Sequence, residues 1–112
     1  MATRLAKPWR PLEPAETARL PAQLGVYEIA DAAGRVLYVG YAGGRSLWGL
    51  RGALEEEGRS LREGAACFRV EITMQYLTRW QELLMAHQAD AGALPRDNAE
   101  RPPARLGRLS PG

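Results

Sequence analysis

Two apolar segments, Gly25–Ala30 (GVYEIA) and Arg35–Tyr41 (RVLYVGY), constrain this chain more than any other part of it. Both are rich in Val, Ile, Leu and Tyr, residues that suit a pleated, half-buried surface. The intervening Asp31-Ala32-Ala33-Gly34 is a turn composition, with glycine available for positive φ. The pair reads as a β-hairpin. A hairpin is marginal alone in water and needs a further strand or a helix against its apolar face.

The rest of the chain supplies both. Cys67–Met74 alternates, with Phe68, Val70, Ile72 and Met74 on one face and Arg69, Glu71 and Thr73 on the other, as a third strand would. Leu47 to about Glu57 reads as a helix that Ser46 can cap. Gln75 to about Asp90 carries Tyr76, Leu77, Trp80, Leu83 and Leu84 at helical spacing before Gly92, a plausible stop. Ahead of the hairpin, Pro8, Pro11, Pro14 and Pro21 leave room for one short helix around Ala15–Leu20, with Pro14 in its first turn and Pro21 ending it. After Gly92, Pro95, Pro102, Pro103 and Pro111 read as an extended, partly mobile tail. A chain of 112 residues makes one domain. The expectation is an α/β protein of the α+β kind, a three-stranded antiparallel sheet flanked by helices. Residues 1–24 would form an N-terminal extension, 25–98 the core domain and 99–112 a flexible tail.

Composition narrows the function classes. No stretch approaches the roughly 18 apolar residues of a membrane span, and the N-terminus lacks the apolar core of a signal peptide, so a cytoplasmic location is expected. Cys67 and His87 are the lone cysteine and histidine, too few for a zinc site, which needs about four N or S ligands. Cys67 reads as a buried, inert thiol, and His87 as a helix-surface or partly buried histidine. Net charge is +2 with a pI near 9.0, and Lys7 is the only lysine. Arginine grips phosphate through two parallel hydrogen bonds, so nucleic acid is a natural partner. Gly43-Gly44-Arg45-Ser46 could touch a nucleic-acid backbone through Arg45, although it lacks the nucleotide-binding P-loop pattern. Trp48 could stack on a base, or join Leu47 and Leu50 as a core contact. Glu55-Glu56-Glu57 reads as a solvated helix end that would repel phosphate.

The triplets Gly25-Val26-Tyr27 and Tyr38-Val39-Gly40 lie on the two arms of the hairpin with ten residues between Tyr27 and Tyr38. In this the chain resembles the GIY-YIG endonuclease superfamily. The resemblance spans roughly Leu24 to Asn98 and implies a three-stranded antiparallel sheet flanked by helices. It also implies a metal-dependent endonuclease that hydrolyses phosphodiester bonds. Tyr27 would help activate water, Tyr38 would position water or phosphate, and Arg51 would neutralise the scissile phosphate. Glu82 would hold Mg²⁺ or another divalent metal, and Pro95-Arg96-Asp97-Asn98 matches the family's closing proline and asparagine. Arg45 and Trp48 would contact nucleic acid, with targeting left to a protein partner.

Two departures keep an alternative open. Four residues after the arginine many members carry histidine or tyrosine, and here stands Glu55. Aligning Leu83-Leu84 with the aliphatic pair after the family glutamate puts Trp80, not Glu82, at the metal position. The alternative is an inactive module on the same scaffold that binds nucleic acid or a protein.

Overall fold

The computed structural model describes residues 4–100. Its elements run β1 (Arg10–Pro11), α1 (Pro14–Thr17), β2 (Gly25–Ala30), β3 (Val36–Ala42), α2 (Gly49–Ser60), β4 (Cys67–Ile72), α3 (Tyr76–Ala91) and α4 (Arg96–Glu100). The strands form one antiparallel sheet in the order β1-β4-β2-β3. The sheet thus has four strands where three were expected. The additional one, β1, is two residues long and ends in Pro11. A strand so short carries no periodicity, and proline is tolerated at a sheet edge.

The hairpin forms as its composition predicts. Asp31 Oδ1 accepts the backbone N–H groups of Ala33 and Arg35 at 3.0 and 2.9 Å, the local bonding that makes aspartate a turn residue. Strand β2 lies between β3 and β4, and all six of its residues are buried. Side chains alternate across the sheet, so the two faces build two cores. On one face Tyr27, Ile29, Ala42 and Phe68 meet Leu20 and α2's Leu50 and Leu54. On the other, Val26 and Val39 meet Leu5 and α3's Leu83 and Leu84. Helices α2 and α3 therefore cover opposite faces.

The glycines of both triplets have packing reasons. A Cβ on Gly40 would lie 2.5 Å from the ring and hydroxyl of Tyr27, its direct cross-strand partner. One on Gly25 would strike the carbonyl oxygen of Glu71 and crowd Leu50.

Four expectations are corrected. Ser46 does not cap α2; the residue before the helix is Trp48, and it makes no side-chain cap. Ile72 and Met74, expected on the buried face of the third strand, are exposed; β4 ends at Ile72, so Met74 lies beyond the strand. Leu47 and Trp48 are 76% and 62% exposed and are not core contacts; Leu50 is. Residues 93–98, read as the start of a tail, instead lead into α4 and seat Asn98, which is 3% exposed. Residues 101–112, including the tail arginines Arg101, Arg105 and Arg108, lie outside the described residues.

Asn98 closes the free edge of β3. Its Oδ1 accepts the Val39 N–H at 2.8 Å and its Nδ2 donates to the Val39 carbonyl at 3.0 Å. Trp80 Nε1 donates to the same carbonyl at 3.0 Å. The side chains take the place of a further strand and satisfy groups that burial would otherwise orphan. Asn98→Ala leaves the Val39 N–H without its partner and is expected to cost about 1–3 kcal/mol. Urea denaturation checks this, and an unchanged midpoint with unchanged slope would refute the edge-closing role.

Candidate functional site

Tyr27 and Tyr38 occupy the same face of the sheet, their ring centroids 6.1 Å apart. Tyr27 is only 6% exposed, and its hydroxyl donates to Glu57 Oε2 at 3.0 Å. Glu57 is near the end of α2, and Leu50, Leu54 and Glu57 share the helical stripe that faces the sheet. Just beyond the helix, Arg62 binds both Glu57 oxygens, Nε to Oε1 at 3.0 Å and Nη2 to Oε2 at 2.9 Å. Its third nitrogen donates to Asp97 Oδ2 at 2.9 Å. The guanidinium lies 3.9 Å over the Tyr38 ring, a cation–π geometry. Asp97 also receives Arg96 Nε at 2.7 Å. One arginine thus joins α2, β3 and α4.

This arrangement holds Tyr27 as a neutral phenol. Burial pushes its pKa well above the usual tyrosine value, and the neighbouring Glu57 carboxylate adds to the rise. Tyr38 is raised for the same two causes in the same order. The Asp97 carboxyl is held below the usual range, first by the hydrogen bond from Arg96 and then by that from Arg62. A buried phenol whose proton already serves a carboxylate is not arranged to become a phenolate near neutral pH.

The other expected site residues, Arg51 and Glu82, come from helices on opposite faces of the sheet. Arg51 is on the first turn of α2, and its buried Nε has no hydrogen-bond partner among the described residues. Glu82 is on α3, which covers the opposite face of the sheet. It is half exposed and accepts from Arg79 Nη1 at 3.2 Å. Arg79 also binds both oxygens of Glu71. Glu82 is thus engaged by a cation that also holds the Glu71 carboxylate. Among the described residues no three acidic, histidine or cysteine side chains group as metal ligands. The structure thus brings Tyr27 and Tyr38 together and separates them from Glu82.

Arg45 and Trp48 sit on the loop between β3 and α2. Arg45 is exposed and has no partner among the described residues. Trp48 adopts a left-handed backbone with φ 71°, the only such non-glycine among the described residues, a state that is an outlier for a bulky side chain. Two bonds tie this part of the chain to other segments. The Tyr76 hydroxyl accepts the Gly44 N–H at 3.0 Å, and the Leu50 N–H donates to the Gln23 carbonyl at 2.8 Å. Because Tyr76 occupies the Gly44 N–H, that group is not available to a phosphate. Cys67 is half buried, and burial raises its thiol pKa, with Asp31 adding to it. That environment keeps it a thiol, in line with an inert role.

Sequence reasoning missed Glu57, Arg62 and Asp97. Glu57 looked like the last of three solvated acids. The signal that could have found it is the Tyr27 hydroxyl itself, since a tyrosine on a buried strand needs a partner.

The fold and these clusters define an α+β protein with a four-stranded antiparallel sheet covered on both faces. The chain belongs to the family described as Domain of unknown function (DUF7508), whose profile matches residues 3–90. No curated protein and no solved structure matches it.

Stability should respond to alkali through Tyr27. Below about pH 10 both the folded and the unfolded chain keep the phenol proton, so the contribution is intact. As pH rises further the unfolded chain ionises first, so stability falls. Urea midpoints should fall slightly from about pH 8.5 through the Cys67 thiol, which burial also raises, and decline further above about pH 10 through the tyrosines. Tyr27→Phe should flatten part of that decline and cost about 1–2 kcal/mol below it. A Tyr27→Phe profile that parallels wild type would contradict this assignment.

Proposed function

We propose that this chain is a nucleic-acid-binding module with a GIY-YIG-like arrangement, in which the two tyrosines serve the fold and the β3–α2 loop serves the ligand. The observation that carries the reading is Trp48, 62% exposed in a left-handed backbone state. Such a state costs about 1–2 kcal/mol for an L-residue, and strain of this kind concentrates at functional positions. The loop presents a flat aromatic surface with Arg45 and Arg51 within three residues of it. An exposed aromatic beside arginines is the combination that stacks on a base while holding the adjoining phosphates. The acidic run Glu55-Glu56-Glu57 lies about two turns along α2. It leaves the loop end of the helix to the arginines.

Against hydrolysis stand the neutral, occupied Tyr27 and the placement of Glu82 across the sheet. For it stands the pairing of the two tyrosines on one face. The binding reading needs no rearrangement of the charged cluster.

Fluorescence anisotropy with labelled single-stranded DNA, single-stranded RNA and duplex DNA tests the proposal. Binding should weaken steeply between about 50 and 200 mM salt. Trp48→Ala should reduce affinity by about tenfold, the scale of one lost base stack. Arg45→Ala should lower the salt slope by about 0.7–0.9. Both side chains are exposed, so neither change should disturb the fold. Absence of binding at low salt, or an unaltered affinity in Trp48→Ala, would overturn the reading. Mg²⁺-dependent nicking that disappears in both Tyr27→Phe and Glu82→Ala would replace it with the endonuclease.

A further inference from the structure

We infer that the ligand of the Trp48 loop is a single-stranded stretch of nucleic acid, whose unpaired bases lie on an apolar platform that Ile72 and Met74 extend across the end of the sheet. This inference rests on the nucleic-acid-binding reading above and names the form of nucleic acid that the surface fits.

The register of the strands assembles the platform. Ala42, Gly25 and Ile72 are cross-strand partners in one row, so β3 ends, β2 begins and β4 ends at the same level. Neighbouring strands stand about 4.8 Å apart, which spaces Ile72 about 10 Å from Ala42. The middle position of the row is a glycine. Leu50 of α2 packs over it, 2.9 Å from where a Cβ would stand, so the first turn of α2 comes down beside Ile72. Phe68 and Ile72 share a face of β4, and Phe68 packs in the core beneath α2. Ile72 therefore points to the side on which Trp48 enters the helix. Backbone bonds close the gaps between segments. The Leu50 N–H donates to the Gln23 carbonyl at 2.8 Å, and the Thr73 N–H donates to the Leu24 carbonyl at 3.0 Å. The start of α2, residues 23–24 and residues 72–74 are thereby neighbours.

This end of the sheet has a one-sided character. Seven large apolar side chains are exposed among the described residues, and five of them belong here: Tyr41, Leu47, Trp48, Ile72 and Met74. Single exposed apolar residues are ordinary, whereas a cluster of them marks a contact surface. Residues 22–25, 41–52 and 72–78 contain no aspartate or glutamate, and they carry Arg45 and Arg51. Glu71, the acid next along β4, turns to the opposite face, where Arg79 binds it at 3.0 Å. An apolar surface whose charges are cations complements a ligand that has apolar faces and negative charge. A duplex does not offer that combination, because its base faces are stacked on one another and its outer surface is sugar and phosphate. A single strand does, since its bases can be splayed onto aromatic and apolar side chains while the phosphates meet arginine.

Fluorescence anisotropy of the full chain with labelled oligothymidylate, oligouridylate and duplex DNA of the same length tests this. Each single strand should bind about tenfold more tightly than the duplex at one salt concentration. Met74→Ser and Ile72→Thr should each weaken single-strand binding by about three- to fivefold and leave duplex binding unmoved. Both side chains are exposed, and circular dichroism should match wild type. If Ile72→Thr disturbs its strand, Met74→Ser decides, since Met74 lies outside every helix and strand. Duplex bound as tightly as single strand, and still weakened by Trp48→Ala, would overturn this inference and leave the binding reading standing. Unaltered single-strand affinity in Met74→Ser would do the same. Binding to no nucleic acid at low salt would overturn both. A concentration-dependent dimer in sedimentation that Met74→Ser disperses would give the platform to a second copy of the chain and overturn the single-strand assignment.

Discussion

Strand β2 is hydrogen-bonded on both edges and covered on both faces, and most of the structure follows from that. All six of its residues are buried, yet two of them carry polar tips. Burying a hydroxyl or a carboxylate without a partner costs several kcal/mol, so each must be met from outside the strand. Tyr27 is met by Glu57 and Glu28 by Arg69. These two demands recruit the elements that otherwise have little reason to dock. Glu57 draws in Arg62, and Arg62 draws in Asp97 and with it α4. Arg69, pointing to the opposite face, holds Glu28 and stacks at 4.0 Å over Trp9 of the N-terminal segment. A single strand thus ties in both ends of the described chain.

The same constraint explains what sequence could and could not show. Hairpin, third strand and the two long helices were legible because each repeats a period long enough to read. Gly92 was legible as the end of α3 because glycine is the usual residue there. Strand β1 and helix α4 were not, since each is held by others rather than by its own pattern. Arg10–Pro11 becomes a strand only because β4 has a free edge, and Arg96–Glu100 becomes a helix only because Asn98 and Asp97 have partners thirty or more residues away in sequence. Proline density suggested an extended segment there; tertiary bonds overrode it. Trp48 was ambiguous for a related reason. A tryptophan between Leu47 and Gly49 gives no hint that the backbone turns left-handed and holds the ring outward.

For the site, residue identity was readable and residue relationship was not. Tyr27 and Tyr38 do adjoin, as two positions on paired strands with matching parity must. Glu82 could not be placed from spacing alone, because which face of the sheet a helix covers depends on the crossover and not on the helix's own stripe. Once α3 lies against Val26 and Val39, its side chains cannot reach the face of Tyr27. A carboxylate does stand beside Tyr27, but it comes from α2 and is neutralised by Arg62.

Among the described residues, α2 and α3 cover the two faces of the sheet. At one end the chain must turn from β3 into α2, and the turn projects Trp48. At the other end α3 outruns the side chains large enough to fill the space beneath it. These two openings have opposite characters. The first exposes Trp48 on a left-handed backbone beside the exposed Arg45. The second is a cavity of about 690 Å³ lined by α3 and the β2–β3 hairpin, with charged residues of both signs in its walls. The Trp48 loop and the cavity share no lining residue among those described.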